Sequence, residues 1–129
     1  MGVGQTAAIA ESRAARRHRR EIAGKQRADG GWSESSIVVK DWKRRDGTPL
    51  DVESDGYGTG LMVIALQQSG EASAKNAIAR GLSWLEHHQD SSGAWLSTSM
   101  NKKRDPASDA GRFMSDAATA YSVMALSGK

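Results

Sequence analysis

The feature that most constrains this chain is an internal repeat with a period of about 60 residues. Gln26-Arg-Ala-Asp-Gly30-Gly-Trp32 returns as Gln89-Asp-Ser-Ser-Gly93-Ala-Trp95, both of the form Q-x-x-x-G-x-W. Lys43-Arg-Arg-Asp46 returns one period later as Lys102-Lys-Arg-Asp105. Ser54-Asp55 returns as Ser115-Asp116, and Thr59, Val63, Ala65 and Leu66 return as Thr119, Val123, Ala125 and Leu126, all four at one spacing. The blocks keep one order and differ by small loop insertions. One such unit cannot bury its apolar face alone, so neighbouring units must stack.

Within each period the blocks read as helices. The spacing predicts helices over about 6–25, 55–69, 74–88 and 115–127. Ser54 and Ser115 stand as N-caps, with Asp55 and Asp116 placing negative charge on the positive end of the helix dipole. The segments after them are apolar nearly all round, which is the pattern of helices buried on every side. Residues 74–88 instead put Ile78, Leu82 and Leu85 on one face and Lys75, Arg80 and Glu86 mostly on the other. Buried and amphipathic helices in alternation are what a double ring of helices requires. Leu61, Ile64, Leu66, Ile78, Leu82, Leu85, Met124 and Leu126 are the expected core. Glycines in Asp29-Gly30-Gly31 and Ser91-Ser92-Gly93 supply turns after the outer helices, and Trp32 and Trp95 fold back over the helix ends near Gln26 and Gln89. In register with the second outer helix, Arg19 stands where Leu82 stands and Ile22 where Leu85 stands, so the first outer helix has a weak apolar stripe. Ile37-Val38-Val39 is a candidate short strand.

Composition narrows the chemistry. With no cysteine there is no disulfide, thiolate zinc site, thiol nucleophile or thioester. No run approaches the ~20 apolar residues of a membrane span. The net charge of +3 is lopsided: residues 1–25 hold six Lys/Arg against Glu11 and Glu21, and the remainder is close to neutral. The chain therefore divides into a basic N-terminal helical segment, 1–25, and a repeat region, 26–129. Arg13, Arg16, Arg17, Arg19 and Arg20 could form an arm for nucleic acid or an anionic surface. No aromatic residue interleaves with them to stack on bases, which argues for a solvated helix face and makes a nucleic-acid partner unlikely on this reading. No apolar signal sequence is visible, which would place a complete chain of this kind in the cytoplasm.

Q-x-x-x-G-x-W is the repeat motif of squalene–hopene cyclases, and residues 20–127 resemble that superfamily, including its prenyltransferase and squalene-oxidase repeat proteins. The resemblance implies an all-α fold, a partial α/α toroid, with Gln26, Gly30, Trp32, Gln89, Gly93 and Trp95 tying successive outer helices. It implies a hydrophobic isoprenoid as a possible ligand, while the residues themselves, without cysteine, lead us to expect no cofactor and no metal. Family toroids use ten or more helices, so four make an arc. Its open flanks imply a homo-oligomer, with contacts centred on the inner helices, or the remainder of a longer parent chain.

Polyene cyclisation needs a strong carboxylic acid, built in the family as D-x-D-D-T. The corresponding Asp51-Val-Glu53-Ser-Asp55-Gly-Tyr-Gly-Thr59 keeps Asp55 and Thr59 but lacks the paired aspartates. The resemblance nominates Asp55 as proton donor, with Tyr57 and Tyr121 as aromatic walls; the residues alone read Asp55 as a helix N-terminal charge. Carbocations also need several aromatic faces. With seven aromatics in all, and Trp32, Trp84 and Trp95 assigned to turns and a helix, Trp42, Tyr57, Phe113 and Tyr121 are too few for a complete cavity. Adjacent His87 and His88 point about 100° apart on a helix and do not chelate one metal. Gly56-Tyr-Gly-Thr-Gly60 follows no clear strand and reads as close helix packing rather than a phosphate cradle. The basic loops Lys43, Arg44, Arg45 and Lys102, Lys103, Arg104 are the polar feature the fold does not demand, and they are candidate binders of an anionic group. Three functions follow: a non-catalytic scaffold or binding module, one section of a terpenoid cyclase (an isomerase), or an anionic-surface or nucleic-acid binder through the basic N-terminus.

Overall fold

The computed structural model describes residues 13, 16–38 and 40–128. Residues 6–12, 14 and 15 of the expected first helix, and Val39, lie outside these. Among the described residues there is no strand, and the helices are α1 (16–24), α2 (Gly56–Ser69), α3 (Lys75–His87) and α4 (Asp109–Ser127). Short 3-10 turns precede α3, at Ala72–Ala74, and follow the first tryptophan, at Glu34–Ile37.

Three local features differ from the sequence reading. Ile37 and Val38 are not in a strand, because the Ser33 hydroxyl accepts from Ser35 N and tightens Glu34–Ile37 into a helical turn. The last helix starts well before Ser115, at Asp109. Ser108 is its cap, accepting from Gly111 N at 3.0 Å, so Ser115 lies inside the helix. Likewise the cap of α2 is Asp55 itself rather than Ser54, whose hydroxyl reaches Asp29 at 2.7 Å instead.

The inner helices are α2 and α4. Along them the contacts advance together: Ser122 Oγ donates to Gly56 O at 3.2 Å, and Gln67 Nε2 to Ala125 O at 2.8 Å. The two helices therefore run in parallel, as alternate members of an α/α ring must. The glycine run is what lets them touch. A Cβ on Gly60 would stand 2.8 Å from Ser122 N, and one on Gly56 would stand 2.4 Å from the Trp95 Cβ. α3 lies against the other side of α2, where a Cβ on Gly81 would meet Val63 at 2.5 Å and Trp32 at 3.0 Å. The result is an all-α arc of an α/α toroid.

Val63, Leu66, Leu85, Trp32, Trp84 and Trp95 form the core, with Ile64, Ile78, Leu82 and Leu126 half-buried against it. Leu61 is half-buried as well. Met124 departs from the expected core: it is 57% exposed. α4 is not enclosed, since α2 covers one flank, and Met124 with Val123 faces outward on another.

Candidate functional site

The turns carry the repeat into three dimensions. Gln26 Nε2 donates to Gly30 O at 2.9 Å, and Gln89 Nε2 to Gly93 O at 2.8 Å. Gly30 and Gly93 take φ of 94° and 90°, a backbone region costly to other residues. The Trp32 indole donates to Ile22 O at 2.8 Å and the Trp95 indole to Leu85 O at 2.9 Å, each closing the outer helix before it. Each tryptophan N–H then donates to an inner-helix threonine, Thr59 at 2.9 Å and Thr119 at 3.0 Å. The first turn does one thing more. Gln26 Nε2 also reaches Ala77 O in α3, and Arg80 of α3 returns to Ala28 O at 3.0 Å. Gln89 is exposed.

Next to these turns lies a cleft of about 570 Å³, between the loop before α2, the loop after Trp95 and the start of α4. Asp51, Glu53, Asp55 and Asp116 face Arg104 and Arg112 across it. No aromatic side chain lines it among the described residues. Tyr57 and Tyr121 pack edge-to-face on one another, ring centres 5.3 Å apart, outside its lining.

Asp55 is the cleft's half-buried acid. Its Oδ1 accepts from Gly58 N at 2.7 Å and its Oδ2 from Glu34 N at 2.6 Å. Burial pushes its pKa up to about 7, the two N–H bonds work against that, and the Glu34 charge adds to it. The second repeat makes the same bond with different chemistry. Ser97 stands one repeat after Glu34, and its N–H donates at 3.0 Å to Ser115, which stands one repeat after Asp55. The structural counterpart of Asp55 is thus Ser115, one position before the Asp116 that sequence pairing suggests. Asp116 is exposed on α4 and caps nothing.

Glu34 is the site residue the sequence reading passes over. It is 2% exposed, and its Oε2 accepts from the hydroxyl of Ser97, its own repeat counterpart. Burial holds its carboxyl above the usual range, against hydrogen bonds from Ser97 and Thr98. Thr98 Oγ1 lies 3.0 Å from Glu34 Oε1 and 2.6 Å from Asp51 Oδ2. The Thr98 bond and then Arg44 hold Asp51 below its usual value. The available signal was an asymmetry: directly after each turn tryptophan's serine or leucine, one repeat has a glutamate and the other a serine.

The basic loops are brought together but not as six equivalent cations. Arg45 N donates to Asn101 O and Lys103 N to Asp46 Oδ2, both at 2.8 Å, so the two runs lie side by side. Arg44 turns inward and is 5% exposed, with its guanidinium spent on Ser99 O, Pro49 O and Asp51. It is a structural strut, which removes it from the expected anion-binding set. Lys43, Arg45, Lys102, Lys103 and Arg104 remain exposed. Elsewhere, the His88 ring stacks on Trp84 with centres 4.2 Å apart, and the imidazoles of His87 and His88 go to separate carbonyls, Ser83 O and Trp84 O. Arg19 pairs with Glu71 at the base of α3. No helix among the described residues is long and apolar enough to cross a membrane.

The family model for the squalene–hopene cyclase C-terminal domain matches residues 2–103 and 51–129, an overlap that the internal repeat allows. The chain belongs to that family. No curated protein and no solved structure matches it.

Proposed function

We propose that this member of the squalene–hopene cyclase C-terminal domain family is a non-catalytic repeat module, a scaffold and binding surface rather than a cyclase. One observation carries the reading. The position that the family resemblance nominates as proton donor, Asp55, makes a backbone bond that the Ser115 hydroxyl makes in the second repeat. A serine cannot supply an acid proton to an alkene, so what the two positions share is the closing of a loop onto a helix. The cleft beside Asp55 supports the same reading. It is lined by carboxylates and arginines, whereas a carbocation needs a dry wall of aromatic faces.

As a scaffold, the module offers an open end. Gln89 and the exposed Val123 and Met124 on α4 form the place that Gln26, Val63 and α3 occupy in the first repeat. A further outer helix would fit there, supplied by a longer parent chain or by a second copy. Incubation of the purified chain with squalene and with a shorter polyprene, beside Asp55→Asn, tests the proposal by mass spectrometry of the extracted lipid. We expect no cyclised product from either protein. Product from the wild type that disappears in Asp55→Asn would establish a cyclase.

A further inference from the structure

We propose that the groove between the paired basic loops and the first turns of α4 binds a single-chain anionic amphiphile, an alkyl carboxylate or alkyl phosphate. The groove has a volume of about 740 Å³, within the ~300–1,000 Å³ of ordinary ligand clefts. Its walls are apolar: Trp42 from the first loop, Met100 from the second, and Phe113 and Met114 from α4. The Trp42 indole is fixed by a bond to Met100 O at 2.9 Å, which ties one loop to the other. Phe113 is 69% exposed.

The repeat shows that the fold does not require these aromatics. Trp42 stands opposite Asn101 in the repeat alignment, and Phe113 stands opposite Glu53. Each aromatic comes from a different repeat and is unmatched in the other, yet the two meet in one groove. Charge completes the specification. Arg104 lines the groove, Lys43 adjoins Trp42, and Lys102 and Lys103 lie between Asn101 and Arg104. None of these four enters a side-chain ion pair among the described residues. Of the neighbouring acids, Asp109, which also lines the groove, pairs with Arg112, while Asp46 accepts from Thr48 and Lys103 N and Asp105 from Ala107 N. An apolar trough with Arg104 in its lining and further lysines on the two loops beside it fits a ligand with a chain at one end and a negative head at the other. The tethered indole, held to the second loop, favours a monomer lying along the groove over a bilayer receiving a protruding wedge.

The inference rests on the binding-module half of the proposed function, and it shares only Ser99 and Arg104 with the Asp55 cleft. Turnover of squalene would end the non-catalytic reading while leaving amphiphile binding measurable, so the two can fail separately. The test is isothermal titration of the chain with decyl phosphate and decanoate below their micelle concentrations. Decanol serves as the uncharged control, and phosphatidylglycerol vesicles are assayed separately by co-sedimentation. We expect saturable binding of one anion per chain, weakened about tenfold or more in Phe113→Ser and in Arg104→Ala, and about tenfold weaker for decanol. Both variants alter exposed side chains, and their melting curves confirm that they fold. Absence of saturable binding, equal affinity for decanol, or affinity unchanged in both variants would overturn the inference. So would binding to vesicles without binding to the monomeric anions.

Discussion

Gly60→Ala is the substitution whose cost can be worked most directly from the packing of the inner helices. The new methyl would stand 2.8 Å from Ser122 N, 2.9 Å from Tyr121 C and 3.0 Å from Tyr121 Cβ. Comfortable carbon contacts begin near ~3.5 Å, and two of these neighbours are backbone, which has no rotamer into which to withdraw. α2 and α4 must therefore part by roughly half an ångström or more. That movement pulls on the Ser122 Oγ bond to Gly56 O and the Gln67 bond to Ala125 O, which span the same seam. Helix propensity works the other way, favouring alanine by about 1 kcal/mol. Overpacking costs about 1–3 kcal/mol and strained hydrogen bonds add to it, so the net loss is about 1–2 kcal/mol. For a chain of this size each kcal/mol moves Tm by about 4 °C, so thermal unfolding followed by circular dichroism should shift down by about 4–8 °C. Gly24→Ala is the control. A Cβ there meets nothing within 4 Å, so propensity acts alone and Tm should stay level or rise. A Gly60→Ala protein melting at or above the wild type would mean that the inner helices do not approach as closely as the glycine run requires.

Two further perturbations probe the clasp and Asp55. Trp95→Ala removes a buried indole and its bond to Leu85 O, and should cost about 3–5 kcal/mol in urea unfolding; a loss under about 1 kcal/mol would show that this tryptophan is no clasp. Asp55 titrates higher in the folded chain than in the unfolded one, so its stabilising contribution is complete below pH ~4 and is lost as pH rises through about 7. Urea midpoints should accordingly fall between pH 4 and pH 7, and Asp55→Asn should flatten that slope. A slope unchanged in the variant would assign the titration to another group.

The repeat made most of the fold legible. Two copies of Q-x-x-x-G-x-W in step with Thr59 and Thr119 fix which segments are outer, which are inner and where the tryptophans go, because each of these residues makes the same bond twice. The start of α4 departs from the expected Ser115 for a local reason. The stretch offers two Ser-Asp pairs, Ser108-Asp109 and Ser115-Asp116, and the first wins because Ser108 closes a turn onto Asp105 O and caps Gly111 N. Arg44 could not be separated from its neighbours by sequence, since its inward turn is decided by carbonyls at Pro49 and Ser99 that only the paired loops bring near. Glu34 was hidden for a similar reason: its partners, Ser97 and Thr98, come from the other repeat. Short-range pattern reveals the frame, and side chains whose partners lie across the repeat are settled by packing.

Whether Asp55 holds the fold or serves a reaction is tested most directly by the unfolding free energy of Asp55→Ala. Removing the carboxylate leaves Gly58 N and Glu34 N without the acceptor they share, and loses the cap of α2. A cap is worth about 0.5–2 kcal/mol and a stranded buried donor about 1–3 kcal/mol, so we expect a loss of about 2–4 kcal/mol at pH 4, where the stabilising contribution of Asp55 is complete. Asp55→Asn, which keeps an acceptor oxygen at the cap, should recover part of it. A catalytic acid held in the fold at the expense of stability would behave in the opposite way. Asp55→Ala unfolding at equal or higher urea than the wild type would contradict the structural role and make Asp55 a candidate proton donor again.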